Sequence, residues 1–429
     1  MTEVGVSRAG IVVTGTEVLT GRIADRNGPW LSQRLAELGV EVAHILIVGD
    51  RPADLEAALC FMTAEGMDLI VTSGGLGPTA DDITAEVVGR FAGRELILDQ
   101  QMEEKIASIL RGFARRFNVD EEAIRIANRK QAMVPAGAIA LDPVGTAPGL
   151  VLAAGECVVV VLPGPPRELR PMWPAALAAA PVKGALARAT PLHGYTLRMF
   201  GIPESEIAKS LREIQAAGTS LERLEITTCL RRGEIEIDVR YRDQTEAEAE
   251  ALRDALKDRH PRHLFSLDGE TIDTQVARGL AGHRLGLAES CSGGLLAARI
   301  TERPGASSYM AGGVVAYSNE AKVGLLGVDP GLIEVHGAVS PQVAEAMAIG
   351  ALERFGADVA VSITGVAGPD GGSEQKPVGY VCLNARLASG SALARDPVIP
   401  GGRDDVRERS ALVGMHLLRI LLGGGEAPL

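Results

Sequence analysis

Twice along the chain, short β-branched runs alternate with amphipathic helical runs, and the strand runs stop at turns of glycine or other small residues. In the first stretch Ile11-Val12-Val13 leads into Thr14-Gly15-Thr16-Glu17, and Asn27 to Leu38 carries apolar residues at helical spacing. Val40 to Val48 reads as strand, Pro52 to Ala64 as helix, and Asp68 to Thr72 as strand before Ser73-Gly74-Gly75-Leu76-Gly77-Pro78-Thr79. A helix is expected from Asp81, and Val158 to Leu162 is the last strand before Pro163-Gly164-Pro165-Pro166. Strands that alternate with helices call for crossover connections, hence a parallel sheet covered on both faces.

The same pattern returns late in the chain. Asp273 to Ala281 reads as helix, Leu285 to Ala288 as strand, Ser292 to Thr301 as helix, Gly313 to Tyr317 as strand and Glu320 to Leu326 as helix. Ser340-Pro341 is an N-cap with proline at the first helical position, opening a helix to Phe355. Val359 to Thr364 and Val378 to Ala385 are further strands, and Val406 to Leu422 is a closing helix. Between the two stretches lies a smaller unit. Tyr195 to Phe200 is strand-like, Glu204 to Gln215 helical, Arg223 to Tyr241 two strands around Arg231-Arg232-Gly233, and Glu246 to Arg259 a charged helix. The fold class expected is therefore α/β, two layered domains over residues 1–173 and 260–429, joined by a linker and small α+β module over 174–259.

Composition narrows what such a chain does. The net charge of −12 repels polyanions, and 3% aromatic residues leave little with which to stack single-stranded bases, so no nucleic-acid partner is expected. The 5 cysteines are scattered without CxxC spacing, which suits a reducing cytoplasm rather than a disulfide framework. No apolar run approaches a membrane span, and Met1 to Ala9 lacks the pattern of a secretory signal, so no membrane partner is expected.

Three strand ends of the last domain carry candidate chemistry. Ala288-Glu289-Ser290-Cys291-Ser292-Gly293-Gly294 joins a strand to a helix start, where unpaired N–H groups favour negative charge. A nucleophilic hydroxyl there has a stabiliser at hand for the oxyanion it creates. The bland alternative is that Ser290 or Ser292 only caps the helix. Lys322, in Tyr317-Ser318-Asn319-Glu320-Ala321-Lys322, follows Ser290 by 32 residues, one helix and one strand later, so parallel neighbouring strands would bring both to one sheet edge. It serves as a base only if partial desolvation lowers its pKa from about 10.4 toward 7–8; otherwise it is a solvated helix lysine. Ser362 to Gly372 is a strand and a glycine-rich loop that permits close approach of a ligand. Cys291 is a rival thiol nucleophile or a packing residue. In the first domain Gly74, Gly75 and Gly77 form a phosphate cradle, and Asp81, Asp82 and Glu17 could hold a divalent cation, unless the aspartates merely open a helix.

The set AESCSGG, VVAYSNEAK, HGAVS and SITGVAGPDGGSEQKPVG resembles the CinA carboxyl-terminal domain, the nicotinamide mononucleotide (NMN) deamidase family, over roughly residues 268–424. The resemblance implies hydrolysis of the nicotinamide amide to nicotinate mononucleotide and ammonia. It makes Ser290 the nucleophile and Lys322 the general base, with Tyr317 and Asn319 orienting them or the ligand. Substrate contacts are then expected from Cys291, Ser292, Gly293, Gly294, Thr364, Gly365 and Gly368, with no cofactor. VTGTEVLTG, VGD, TSGGLGPTADDIT, PVGTAPG and VLPGPPREL are similar to the CinA amino-terminal domain and to molybdopterin-binding MoaB/MogA proteins over about residues 8–173. That likeness implies ADP-ribose pyrophosphatase activity dependent on Mg²⁺ or Co²⁺, or alternatively molybdopterin binding or adenylyl transfer. The middle module resembles a KH-like domain but has no GxxG loop. The family likeness also implies a homodimer. Its competence-linked name leaves a non-catalytic scaffold as a third reading.

Overall fold

The computed structural model describes residues 7–114, 121–190 and 192–423. It divides into two compact units, Met1–His193 and Gly194–Leu429, each with its own sheets and cores. Among the described residues no helix is long and apolar enough to cross a membrane.

In the first unit β1 (Arg8–Thr14), β2 (Glu41–Val48), β3 (Leu69–Ser73), β6 (Ile139–Leu141), β7 (Gly149–Ala154) and β8 (Cys157–Leu162) form a sheet in the order β2-β1-β3-β8-β7-β6. The short strands β4 (Leu96–Leu98) and β5 (Met133–Pro135) pair separately. β1 runs parallel to β2 and β3, and β3 parallel to β8, through helices that include Gly28–Glu37 and Pro52–Ala64. The expected all-parallel sheet is corrected at one edge, where β8, β7 and β6 are antiparallel. Only Gly155 and Glu156 separate β7 from β8, and a two-residue hairpin can join only antiparallel strands. Core residues such as Leu31, Leu35, Val71 and Val160 pack one face and Leu59, Ile70 and Val159 the other. Each fully buried side chain of this size contributes about 1.5–3 kcal/mol. The helix Pro166–Ala178 runs through Trp173, whose ring meets Trp30 edge-on at 6.3 Å. The segment read as linker from residue 174 thus continues as packed helix, followed by Ala180–Ala185, within the first unit.

The second unit opens with β9 (His193–Met199), β10 (Glu225–Arg231), β11 (Glu234–Tyr241) and β12 (Leu264–Ser266), in the order β10-β11-β9-β12. With helices Glu204–Ala216 and Glu246–Arg259 the element order is β-α-β-β-α-β, a split βαβ arrangement, and this description replaces the KH-like one. The last strand of this sheet lies beyond residue 259.

The remaining sheet has the order β14-β13-β15-β16-β17, from β13 (Leu285–Glu289), β14 (Met310–Val315), β15 (Val359–Gly365), β16 (Val381–Leu387) and β17 (Ala392–Arg395). β13 is central and parallel to both β14 and β15, while β16 and β17 are antiparallel. Alternate residues face opposite ways. Leu287, Val361 and Ile363 pack with helices Ile272–Gly279, Leu295–Thr301 and the terminal helix Arg403–Gly423; Ala288 and Ala360 pack against Pro341–Phe355. Helices on both faces leave the sheet's carboxyl edge as the place where loops gather.

Candidate functional site

β13 delivers Ser290 to that edge. Its backbone amide donates to the Ile363 carbonyl at 2.8 Å, extending the ladder one residue past the strand, and the side chain is only 7% exposed. Beside it Glu289 is buried. One of its carboxylate oxygens accepts from the Ser292 hydroxyl (2.7 Å) and the Gly294 and Leu296 amides (3.0 and 3.1 Å), the other from the Ala297 amide (2.8 Å). These amides are the orphan donors of the first turn of helix Leu295–Thr301, so a residue five to eight positions upstream caps it. Gly294 takes φ +93, a left-handed conformation that an L side chain resists, which delays the helix to Leu295. The expectation that the helix start serves a developing oxyanion needs correcting here. The Gly294, Leu296 and Ala297 amides are taken by Glu289, while those of Cys291 and Ser292 lie against the Cys291 sulfur.

Lys322 reaches the same edge from the neighbouring strand. After β14 the Ser318 hydroxyl accepts from the Ala321 amide (3.1 Å) and caps helix Asn319–Leu326, which aims Lys322 back at the sheet. Lys322 is 2% exposed, and its Nζ lies 3.2 Å from Ser290 Oγ, 3.0 Å from the Ala316 carbonyl and 3.4 Å from the Tyr317 carbonyl. Burial holds this amine below the usual 10.5. An uncharged amine has two hydrogens and one lone pair. In that form, with both hydrogens on the two carbonyls, the lone pair would face the serine hydroxyl, whereas an ammonium donates to all three oxygens.

The other expected residues divide. The Tyr317 ring is exposed and its hydroxyl accepts from Arg403 (2.9 Å), so in this geometry it is the residue's carbonyl that touches Lys322. Asn319 is exposed at the first turn of its helix. The Thr364 hydroxyl is taken by the Ala338 carbonyl (2.9 Å). Gly365 adjoins the nucleophile's neighbour: a Cβ there would stand 2.9 Å from the Cys291 sulfur. Burial pushes the Cys291 thiol up to about 11, which makes it a poor thiolate source. The sequence reading missed Glu289, Arg403 and Arg407. Arg403 donates to the Gly368 carbonyl (2.7 Å) as well as to Tyr317, tying two loops together, and Arg407 approaches the Ser292 carbonyl (3.5 Å) beside Gly293.

In the first unit the carboxyl ends of β1, β3 and β8 line a cavity of about 320 Å³ with Gly74, Gly75 and Gly77, Glu17, Asp50, Asp81, Asp82 and Glu168 around it. The helix expected from Asp81 begins instead at Thr84, because the Asp82 carboxylate accepts from the Thr79 amide (2.9 Å) and hydroxyl in a preceding turn. A hydrogen bond from Thr79 likewise holds the Asp81 carboxyl below its usual value. Asp81, Asp82 and Glu17 share this cavity, yet among the described residues no three acidic, histidine or cysteine side chains converge as metal ligands. An all-protein cage is therefore not built here. A cation held by one or two carboxylates and completed by ligand phosphates remains compatible with the lining.

A serine hydroxyl and a buried lysine amine thus stand side by side at the carboxyl edge of an α/β sheet. Residues 270–422 match the family model described as CinA C-terminal domain, and residues 10–181 the one described as probable molybdopterin binding domain. The chain is 60% identical to a CinA-like protein of Mycolicibacterium vanbaalenii, over 98% of this chain and 99% of that one. It is 58% identical to a CinA-like protein of Mycobacterium tuberculosis, over 97% and 98%. It belongs to the CinA-like family. Among solved structures it is similar to the competence/damage inducible protein CihA from Agrobacterium tumefaciens, at 38% identity, 37% of this chain, 99% of that chain and TM-score 0.34. It is also similar to the molybdopterin biosynthesis enzyme MoaB from Thermus thermophilus, at 22% identity, 42% and 97% coverage and TM-score 0.29.

Proposed function

We propose that the second unit hydrolyses the carboxamide of NMN, with Ser290 as nucleophile and Lys322 as general base. The observation that carries this reading is the buried Lys322 amine, with its pKa lowered, 3.2 Å from the Ser290 hydroxyl. Ser290 Oγ attacks the amide carbon as Lys322 takes its proton. The resulting ammonium returns that proton to the departing nitrogen, ammonia leaves, and an acyl-enzyme remains. Water then attacks with the same amine as base, releasing nicotinate mononucleotide and restoring Ser290. The amides of Cys291 and Ser292 suit the oxyanion. The guanidinium groups of Arg403 and Arg407 suit the substrate's phosphate, and the exposed Tyr317 ring suits the face of its cationic pyridinium.

The test is ammonia release from NMN by the native chain. Cys291→Ala separates the two nucleophiles: its turnover is expected within about threefold of native, because the thiol makes no contact that the mechanism needs. Loss of ammonia release in that variant, with Ser290→Ala still active, overturns the assignment.

For the first unit the reading is a nucleoside-diphosphate hydrolase acting on ADP-ribose. It is supported by the glycine-rich turn after β3, whose amides suit phosphate oxygens, and by the carboxylates around the same cavity. Asp81, Asp82 and Glu17 are the residues that would hold Mg²⁺ or Co²⁺, which neutralises phosphate charge when bound. Asp82→Ala is expected to lower AMP formation from ADP-ribose by about 10²-fold or more while leaving NMN deamidation unchanged. Binding of molybdopterin by the native chain, with no turnover of ADP-ribose in either metal, would select the molybdopterin-binding alternative instead.

A further inference from the structure

One buried polar pair in the second unit is used by neither chemistry. Glu234, the first residue of β11, accepts from His416 Nε2 at 2.8 Å. His416 is fully buried in the terminal helix and its side chain is 0% exposed, against 6% for Glu234. Among the described residues Nδ1 of this ring has no partner. The imidazole therefore carries its single proton on Nε2, since the other tautomer would bury an unpaired N–H. Burial and the nearby Arg419 and Arg299 hold its pKa well below 6.5, which keeps the ring neutral. The ring is stacked on Phe200 at 3.8 Å and 6°, and meets Phe265 edge-on at 4.9 Å. Phe200 directly follows β9, and Phe265 belongs to β12. Next to Glu234, Gly233 packs against Leu412 so closely that a Cβ would stand 2.8 Å from it.

Three pieces of the split βαβ module thus grip one stretch of the terminal helix. The other end of that helix carries Arg403 and Arg407, about 20 and 14 Å from His416 at roughly 1.5 Å per residue. We propose that Glu234 and His416 are positioning residues for the Ser290–Lys322 centre, their buried bond seating the terminal helix so that its guanidinium groups meet the anionic end of the substrate. The middle module is then part of the amidohydrolase rather than a spacer. This inference rests on the amidohydrolase reading for the substrate it names; the seating of the terminal helix by the Glu234–His416 bond is tested apart from it.

The terminal helix contributes neither Ser290 nor Lys322, so loosening it removes binding shared by ground and transition states. Glu234→Leu is expected to raise KM for NMN about tenfold with kcat within about threefold, the signature of lost uniform binding. Glu234→Gln keeps an acceptor for Nε2–H and is expected to restore native KM. If Glu234→Leu does not fold, Phe200→Leu carries the test, with a smaller rise in KM of about threefold. Native KM in a folded Glu234→Leu or in Phe200→Leu, with only thermal stability lowered, overturns the proposal. Should the native chain release no ammonia from NMN, the amidohydrolase reading fails separately, and amide hydrogen exchange decides this one. Faster exchange across residues 290–294 and 403–408 in the Leu variant supports it, and unchanged exchange there sinks it.

Discussion

On the proposed amidohydrolase reading, Lys322→Met is expected to lower ammonia release from NMN by about 10²–10⁴-fold in turnover, and to make the second unit harder to unfold. The loss follows from removing the amine 3.2 Å from the Ser290 hydroxyl. Ser290→Ala gives a comparable loss, and the double variant is little worse than either single one, because the two residues act as a unit. The gain in stability follows from burial. At neutral pH the unfolded chain carries a solvated ammonium, whereas the folded site disfavours that charge. The folded pKa lies below 10.5, so the unfolded state holds more protons in the interval between the two values, and stability rises with pH there. The deficit of the native chain relative to Lys322→Met is largest below the folded value and closes as pH approaches 10.5. Calorimetry across pH measures it. Turnover of the native chain should rise with pH through the same folded value and then level off. A flat pH–rate profile together with an active Lys322→Met removes the lysine from the mechanism.

Glu289→Ala unfolds more than it alters. The carboxylate accepts four hydrogen bonds, three of them from main-chain amides at the start of helix Leu295–Thr301, and alanine leaves all four donors without it. Hydrogen bonds to a charged group contribute about 1.5–3 kcal/mol each, and replacement water recovers part of that, so a net loss of about 3 kcal/mol or more is expected. For a unit of this size that corresponds to a fall of roughly 6–12 °C in its transition. Activity falls with it, because the same turn carries Ser290. Both tryptophans of the chain, Trp30 and Trp173, lie in the first unit, so their fluorescence is an internal control that should not move. A variant whose second calorimetric transition stays native would refute this account of the turn.

The central features of this fold were legible because they are local. β13, its serine turn, β14 and the lysine helix follow one another within a short span, and a right-handed parallel crossover leaves little choice about which edge they share. What escaped reading was set by contacts distant in sequence. Arg407 meets Ser292 across 115 residues, and nothing in Val406 to Leu422 marks its first turn as part of a site. Glu289 escaped for a different reason. A carboxylate at a strand end next to a candidate nucleophile invites a catalytic reading, and its use as a cap appears only when the backbone of Gly294 to Ala297 is in hand. The antiparallel edge of the first sheet was missed because β6 has only 3 residues and the Pro- and Gly-bearing run from Pro143 to Gly149 separates it from the body of β7. β16 begins at Val381 rather than Val378, since Gly379 turns at φ +93 against the Ile399 carbonyl before the ladder resumes.

The two carbonyls that receive the lysine amine belong to the main chain of Ala316 and Tyr317. A gene encoding this protein can therefore exchange the exposed Tyr317 side chain without deleting an acceptor, whereas Ala316, fully buried in the core, leaves no room for a larger one. Only changes that redirect the peptide path itself, such as a proline or an insertion between β14 and its helix, would reach the amine's supports.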